Sequence, residues 1–543
     1  MRRYRWLPFY GGPLLLLLLN GCRPGMPDEK AVFRYNQPNG IETLDPAFAR
    51  NLAIMWPVHF IYNTLVDVDD KMQLQPSLAK SWSISSDGLR YTFHLRTDVF
   101  FQDNPAFPAG KGRRMTAADV VYSFSRLIDP RTAAAGAWVF NGRVTGHQPF
   151  MAPDDSTFVL NLRQPFRPML EILSMPYCSI VPHEVTEKWG KDFRNHPCGT
   201  GPFQLGFWDE GNVMMLYKNP HYWEADSAGR RLPYLKGVKV TFNETRSLAF
   251  LRFEQNELDF MNGIDGAMQD LVLTKQGRLR PRFQNSIRLT KKIYLNTEYL
   301  GFLLDTGAAA FRNNPLAAVK VRQAINYAID RQKIITYFRN GIGLPATGGF
   351  IPPGMPGFEK EQLKGYDYDP DKALALLKEA GFPAGKGLPP VTLTTPDENI
   401  DICTFIAGEL NDIGIPAKVQ VMQNGLLHQQ MASSDLAFFK AQWIADYPDA
   451  ETFLAFFYSP LPAPPNYTRF KNARFDQWYR QSMNTNADSM RFVLYRKMDS
   501  LAMSRAPVVP LYYGQILHFT HKNLHGLSAN AMNIIDVKRA WKE

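Results

Sequence analysis

Three carboxylates crowd one short segment, QWIADYPDAETFL, from Gln442 to Leu454. Asp446 follows an apolar Trp443-Ile444-Ala445 run and precedes a Tyr447-Pro448 turn, and Asp449 and Glu451 come next. Acids so placed can act as general acid and base, ligate a metal, cap a turn or helix, or neutralise a cationic guest. The first two roles need partners, and the motifs that supply them are missing. The sequence has no His-Glu-x-x-His pair, no Cys-x-x-Cys and no Gly-x-Ser-x-Gly elbow. Gly381 and Gly385 are one residue too close for a phosphate-cradling loop, and Gly387 stands where a hydroxyl must follow Lys386. His518, His521 and His525 fall in a strand-then-turn context where they need not converge, so they read as packing or surface histidines. Asp69-Asp70 and Asp154-Asp155 sit beside turn residues and read as solvated loop acids. Neither a metal nor a cofactor is expected, and the pattern favours a binder over an enzyme.

The ends of the chain bear on where such a binder works. MRRYRWLPFYGGPLLLLLLNGC carries a basic head, a Leu14–Leu19 run and a small residue before Cys22. This is the pattern of a secretory signal over residues 1–21, with an apolar run too short to span a bilayer. Leu19-Asn20-Gly21-Cys22 resembles the bacterial lipobox, which implies lipidation at Cys22. Acyl chains contribute about 0.8 kcal/mol per buried CH₂, enough together to hold a domain at a membrane surface.

At 543 residues, 45% apolar and 13% aromatic, the chain exceeds one core and divides into two or three domains. Of its formal +10 charge, Arg2, Arg3 and Arg5 belong to the signal segment. The remainder is dispersed, which argues against a nucleic-acid partner. Lys275 to Lys292, with seven bases and no acid, reads as a solvated face. Cys178 and Cys198 could pair in an oxidising envelope, whereas Cys403 lies in an apolar periodic stretch and reads as a buried free thiol.

The elements that must position these residues follow from periodicity. TFHLRTDVFFQ (92–102) and STFVLNLRQPF (156–166) alternate as half-buried strands do, and Thr116 to Asp119 caps a helix between them. A second block, 195–270, returns to strands. Near 290 the texture changes. A β-rich segment (291–305) leads to helices over 319–335 and from Pro370 to a stop at Gly381. Strand, helix and strand follow near 391–396, 401–413 and 417–423, and the chain closes with a strand at 507–520. A last strand returning from the far end implies two crossings between lobes, and such crossings form hinges. The hexapeptide Phe-Pro-Ala-Gly-Lys-Gly occurs at 107–112 and 382–387 with unrelated flanks, and reads as a recurring loop.

Several segments together resemble extracellular solute-binding proteins of family 5, which feed peptide-type ABC transporters. They are LDPAF (44–48), LQPSLAKSWSISSDGLRYTFHLR (74–96), MTAADVVYSFSRLIDP (115–130), CGTGPFQL (198–205), NPHYW (219–223), VRQAINYAIDR (321–331), YDYDPDKALALLKEAGF (366–382), the opening segment and APVVPLYY (506–513). The resemblance implies a two-lobed α/β periplasmic-binding-protein-like fold, with an extra β-rich subdomain in lobe one and a two-crossing hinge. Lobe one would take 22–290 and 508–543, and lobe two 291–507. It also implies capture of peptides, with oligopeptides expected, and delivery to a permease and its ATPase by a monomeric envelope lipoprotein. Nickel chelates, haem and oligosaccharides are alternative guests in this family, and an envelope enzyme or signalling receptor is the reading from another class. Asp446 matches the acid that pairs with a ligand ammonium, Trp443, Tyr447 and Trp138 are candidate pocket walls, and Asp449 and Glu451 are left to start the next helix. Dipeptide-specific relatives hold the ligand carboxylate with an Arg after the 391–396 strand. Here TPDENIDIC (395–403) is acidic, and no base occurs between Lys386 and Lys418.

Overall fold

A computed structural model describes residues 29–243, 245–311, 314–358, 363–485 and 487–543. Residues 1–21, where a secretory signal is expected, and Cys22 lie outside the described residues. Among these, one mixed sheet of eleven strands runs through the molecule. Its order is Ala417–Val421, Val391–Thr395, Phe438–Ile444, Ile287–Phe302, Val508–His521, Phe260–Asn262, Val32–Asn36, Gly237–Thr241, Val213–Lys218 and Phe203–Asp209, with Leu344–Pro345 also on Val508–His521.

Two strands are long enough to belong to both halves of this sheet. Ile287–Phe302 and Val508–His521 pair antiparallel along nearly their whole length. At one end they adjoin Phe260–Asn262, and at the other Phe438–Ile444. Between Ile293 and Thr297 their ladder lapses. There Leu295 turns its backbone to other partners: its N–H donates to Ala531 O at 2.9 Å, and its carbonyl accepts from Ala445 N–H at 2.8 Å. Gly514 faces the lapse, where a Cβ would stand 2.3 Å from Asn296 Oδ1, and its own N–H donates to that oxygen at 2.8 Å. Only glycine allows this approach. The 291–305 expectation thus covers part of a strand that begins at Ile287 and ends at Phe302, since no turn residue marks where it crosses between the lobes.

A separate four-stranded antiparallel sheet forms the extra subdomain, in the order Ala79–Ile84, Arg90–Leu95, Thr157–Asn161, Phe150–Asp154. The helix Ala117–Ile128 packs on it, and Asp119 accepts from Thr116 N–H at 2.8 Å as the capping pattern requires. Strand 92–102 is shorter than its alternation predicts, ending at Leu95 before Phe101 and Gln102 meet other backbone. Local signals elsewhere hold closely. Asp369 caps Pro370–Glu379 by accepting from Lys372 N–H at 2.9 Å, and Gly381 (φ +91°) stops it. The repeated hexapeptide makes the same turn twice, with Ala109 and Gly110 at φ +54° and +71° and Ala384 and Gly385 at +50° and +74°. The 319–335 helix is interrupted: Val319–Ala328 ends and a new turn begins at Arg331, where the Asp330 side chain caps.

One core fills lobe one, built around Phe33, Phe60, Phe93, Phe124 and Phe158, and it includes Tyr447. Two more lie on either side of the lobe-two sheet, around Phe350, Phe453 and Phe457 and around Ile325, Leu393 and Ile406. The pairing of Cys178 with Cys198 does not occur, and both are buried free thiols, as is Cys403. Each is turned to a different carbonyl, Cys178 Sγ to Ile172 O at 3.6 Å and Cys198 Sγ to Gln102 O at 3.4 Å. Apolar packing around the thiols already fixes both segments, and burial keeps both protonated by raising their pKa.

Candidate ligand-binding cleft

The strand Phe438–Ile444 ends beside the lapse in the long ladder, with Asn296 opposite Ile444. The hydrogen bond from Ala445 N–H to Leu295 fixes the chain as it leaves the sheet, so the next side chain, Asp446, projects between the lobes. Asp446 lines two adjoining cavities of about 540 and 730 Å³, and Trp138 is the one other residue common to both. Together they form the partition. These sizes lie in the range of small-ligand clefts.

Asp446 has no hydrogen bond or ion pair among the described residues. Its carboxyl is open to the cleft, yet protein mass crowds it as densely as in an interior. Cleft water of this kind screens far less than bulk solvent, so the crowding governs its titration. Desolvation, then the nearby Glu451 charge, pushes its pKa up to about 6, while Arg143 pulls the other way. A carboxylate held at that cost is able to take a cationic partner.

The ring residues line the same cavities. Trp138 stacks on Tyr447 across the lobes, with centroids 6.4 Å apart and planes at 29°, and meets Tyr177 edge-on at 6.4 Å. Arg143 lies over Trp138 and Phe166, 5.7 and 4.7 Å from their centroids. Trp443 lines the larger cavity, with Nε1 donating to Thr452 O at 2.9 Å and its ring edge-on to Phe456. Of the four candidates, Asp446, Trp138, Trp443 and Tyr447 all reach the larger cavity, and the first two also reach the smaller.

The other two acids of the segment have partners. Glu451 accepts from the Tyr447 and Tyr479 hydroxyls beneath the larger cavity, and burial raises its pKa. Asp449 accepts from Glu451 N–H at 2.8 Å, as a helix-start residue does, but it also binds Arg491 and the Tyr495 hydroxyl. The histidines do not converge: His518 Nε2 meets Asn533 Oδ1 at 2.9 Å, and His521 Nε2 meets Phe253 O at 2.8 Å.

The smaller cavity holds groups that segment-by-segment reading passed over. Arg50 and Arg246 are its bases, and Asp446 at the rim is its acid. The Tyr177 hydroxyl has no hydrogen-bond partner among the described residues. Burial and then the Asp446 charge push it up to about 12, against the pull of Arg50, so both charges act on it. The acidic 395–403 segment lines neither cavity. None of these contacts has a local signal, because each joins residues far apart in the chain.

A family model, "Bacterial extracellular solute-binding proteins, family 5 Middle", matches residues 73–464. The chain is 28% identical over 495 residues to the glutathione-binding protein GsiB of Escherichia coli O1:K1, with 89% of each chain covered. It superposes on the periplasmic binding protein DppA of Helicobacter pylori in complex with the peptide STSA, with TM-score 0.73, 26% identity and coverage of 94% of this chain and 98% of that one. HbpA2 of Haemophilus parasuis shares the fold at TM-score 0.80 and 23% identity, with 94% and 99% covered. An unpaired acid and a wall of rings between two sheet-linked lobes, together with a match over most of the length, place this chain in family 5 of the bacterial extracellular solute-binding proteins, a family of ligand carriers rather than enzymes.

Proposed function

We propose that this protein is the substrate-binding subunit of an ABC-type importer that captures peptides in the interlobe cleft and passes them to a permease driven by its ATPase. The observation that carries the reading is Asp446, a carboxylate on the partition between two cavities with no partner in the protein. A peptide's α-ammonium supplies the missing charge, while Trp138, Tyr447 and Trp443 wall the ligand. The names of similar proteins support a peptide guest, since one binds glutathione and another was solved with STSA. The lapse at 293–297 and the facing Gly514 are the hinge we assign, close to the 290/291 and 507/508 boundaries. Residues 1–21 serve as an export signal, and Cys22 carries the lipid that keeps the monomer at the cell envelope.

Isothermal titration of purified protein with tripeptides tests this. Asp446→Asn should weaken binding of a free-amine tripeptide about 10- to 100-fold, the scale of one hydrogen bond to a charged group at about 1.5–3 kcal/mol. N-acetylation of the peptide should do the same to the wild type. Unchanged affinity in both experiments removes Asp446 from the site.

A further inference from the structure

We propose that the smaller cavity is a carboxylate subsite, in which Arg50 and Arg246 receive the free C-terminal carboxylate of a short peptide whose ammonium sits on Asp446. This deepens the preceding reading and rests on it. The ligand class is then a short zwitterionic peptide with both termini free.

The distribution of charge points this way. The larger cavity mixes Arg143 and Arg480 with Glu451, amid rings and prolines that suit a side chain. The smaller one sets two guanidiniums against the single carboxylate at its rim. Its walls therefore offer a negative end and a positive end to one guest. Tyr177 lines the same cavity, acted on by both Asp446 and Arg50, with a hydroxyl free to bond the peptide backbone.

Both arginines can take a guest. Arg50 meets Glu42 through one nitrogen at 2.6 Å, with side chains 61% and 65% exposed, and Arg246 meets Asp265 at 3.6 Å with 47% and 38% exposed. Pairs this open contribute little, and a guanidinium has five donors, so most remain for a carboxylate. Planar guanidinium also fits that anion in a two-pronged manner. The backbone adds to the field. Arg50 comes just before Asn51, the N-cap of the helix Leu52–Ile61, Arg246 is the first residue of Arg246–Glu254, and both N-termini border the cavity. Gly263, at φ +73°, leaves room beside Arg246, whose Nη1 would be 4.0 Å from a Cβ there.

The arrangement explains the lack of a base in 387–417. The ligand's negative end is held from the lobe-one side, while its positive end meets Asp446 beside the lobe-two strand. One guest with two charged ends then bridges the lobes.

Titration of the full mature chain with Ala-Leu-Ala, its C-terminal amide and its N-acetyl form decides the matter. The amide should bind at least tenfold more weakly than the free acid. The double variant Arg50→Gln/Arg246→Gln should lose that preference, binding the acid as poorly as the amide and the amide as the wild type does. Both positions are exposed, and an unchanged thermal midpoint checks folding; if the variant fails to fold, the wild-type acid-to-amide ratio decides alone. Equal affinity for acid and amide, with weak binding of the N-acetyl form, overturns the subsite and leaves the Asp446 reading standing. Undiminished binding of the N-acetyl form overturns both.

Discussion

Asp446 keeps its charge where no group of the folded chain neutralises it, and its titration should therefore report on the guest. Its free pKa is raised to about 6, so the folded, empty protein holds a proton between the ordinary aspartate range and pH 6. A bound ammonium favours the ionised form and reverses this. Affinity for a free-amine peptide should be full above pH 6 and fall roughly tenfold per unit as pH drops below it, while the peptide amine stays charged. Calorimetry between pH 5 and 7.5 checks the slope, and Asp446→Asn should abolish it. Asp446 was singled out by the family resemblance, since the apolar run before it and the proline turn after it left several roles open. Arg50, Arg143 and Tyr177 were not, since each comes near Asp446 only through folding that joins chain more than a hundred residues apart.

Elements differ in the same way. The helix Pro370–Glu379 could be read from Asp369, Pro370 and Gly381 because all its signals are local. The segment at 449–451 could be read only in part. Asp449 does hold the Glu451 N–H, but its larger role is to pair with Arg491 of the helix Asp488–Arg505, with Tyr495 joining from the next turn. Arg491 and Asp449 are almost wholly buried, with 3% and 2% of their side chains exposed. Breaking such a pair leaves an uncompensated charge inside the protein. Asp449→Ala should lower unfolding stability by about 3–5 kcal/mol in urea titration, well beyond the loss of a helix cap, which is about 1 kcal/mol. The supposed Cys178–Cys198 link fails for a related reason. Sequence separation alone permitted it, and packing gave each thiol its own surroundings.

At the scale of the whole molecule, the alternation of β-rich and α/β texture revealed two lobes and two crossings, but not that both crossings are continuous strands of one sheet. The lobes also meet through charge. Arg167 approaches Asp488 at 3.8 Å, and nearby Glu171 keeps one buried oxygen without a partner. Burial, then the Asp449 charge, pushes Glu171 up to about 8. Between the ordinary glutamate value and pH 8 the folded chain thus binds a proton that the unfolded chain releases, so stability falls as pH rises through this window. Thermal midpoints measured from pH 5 to 8 should decline, and Glu171→Gln should flatten that decline. The Trp138–Tyr447 stack has an optical consequence. Because its two rings come from opposite sides of the cleft, separation of the lobes wets the indole and should shift its emission to longer wavelength. The chain has ten tryptophans, so the signal is the difference between the wild type and Trp138→Phe. That difference makes the protein its own fluorescent gauge of opening and closing, with no attached dye.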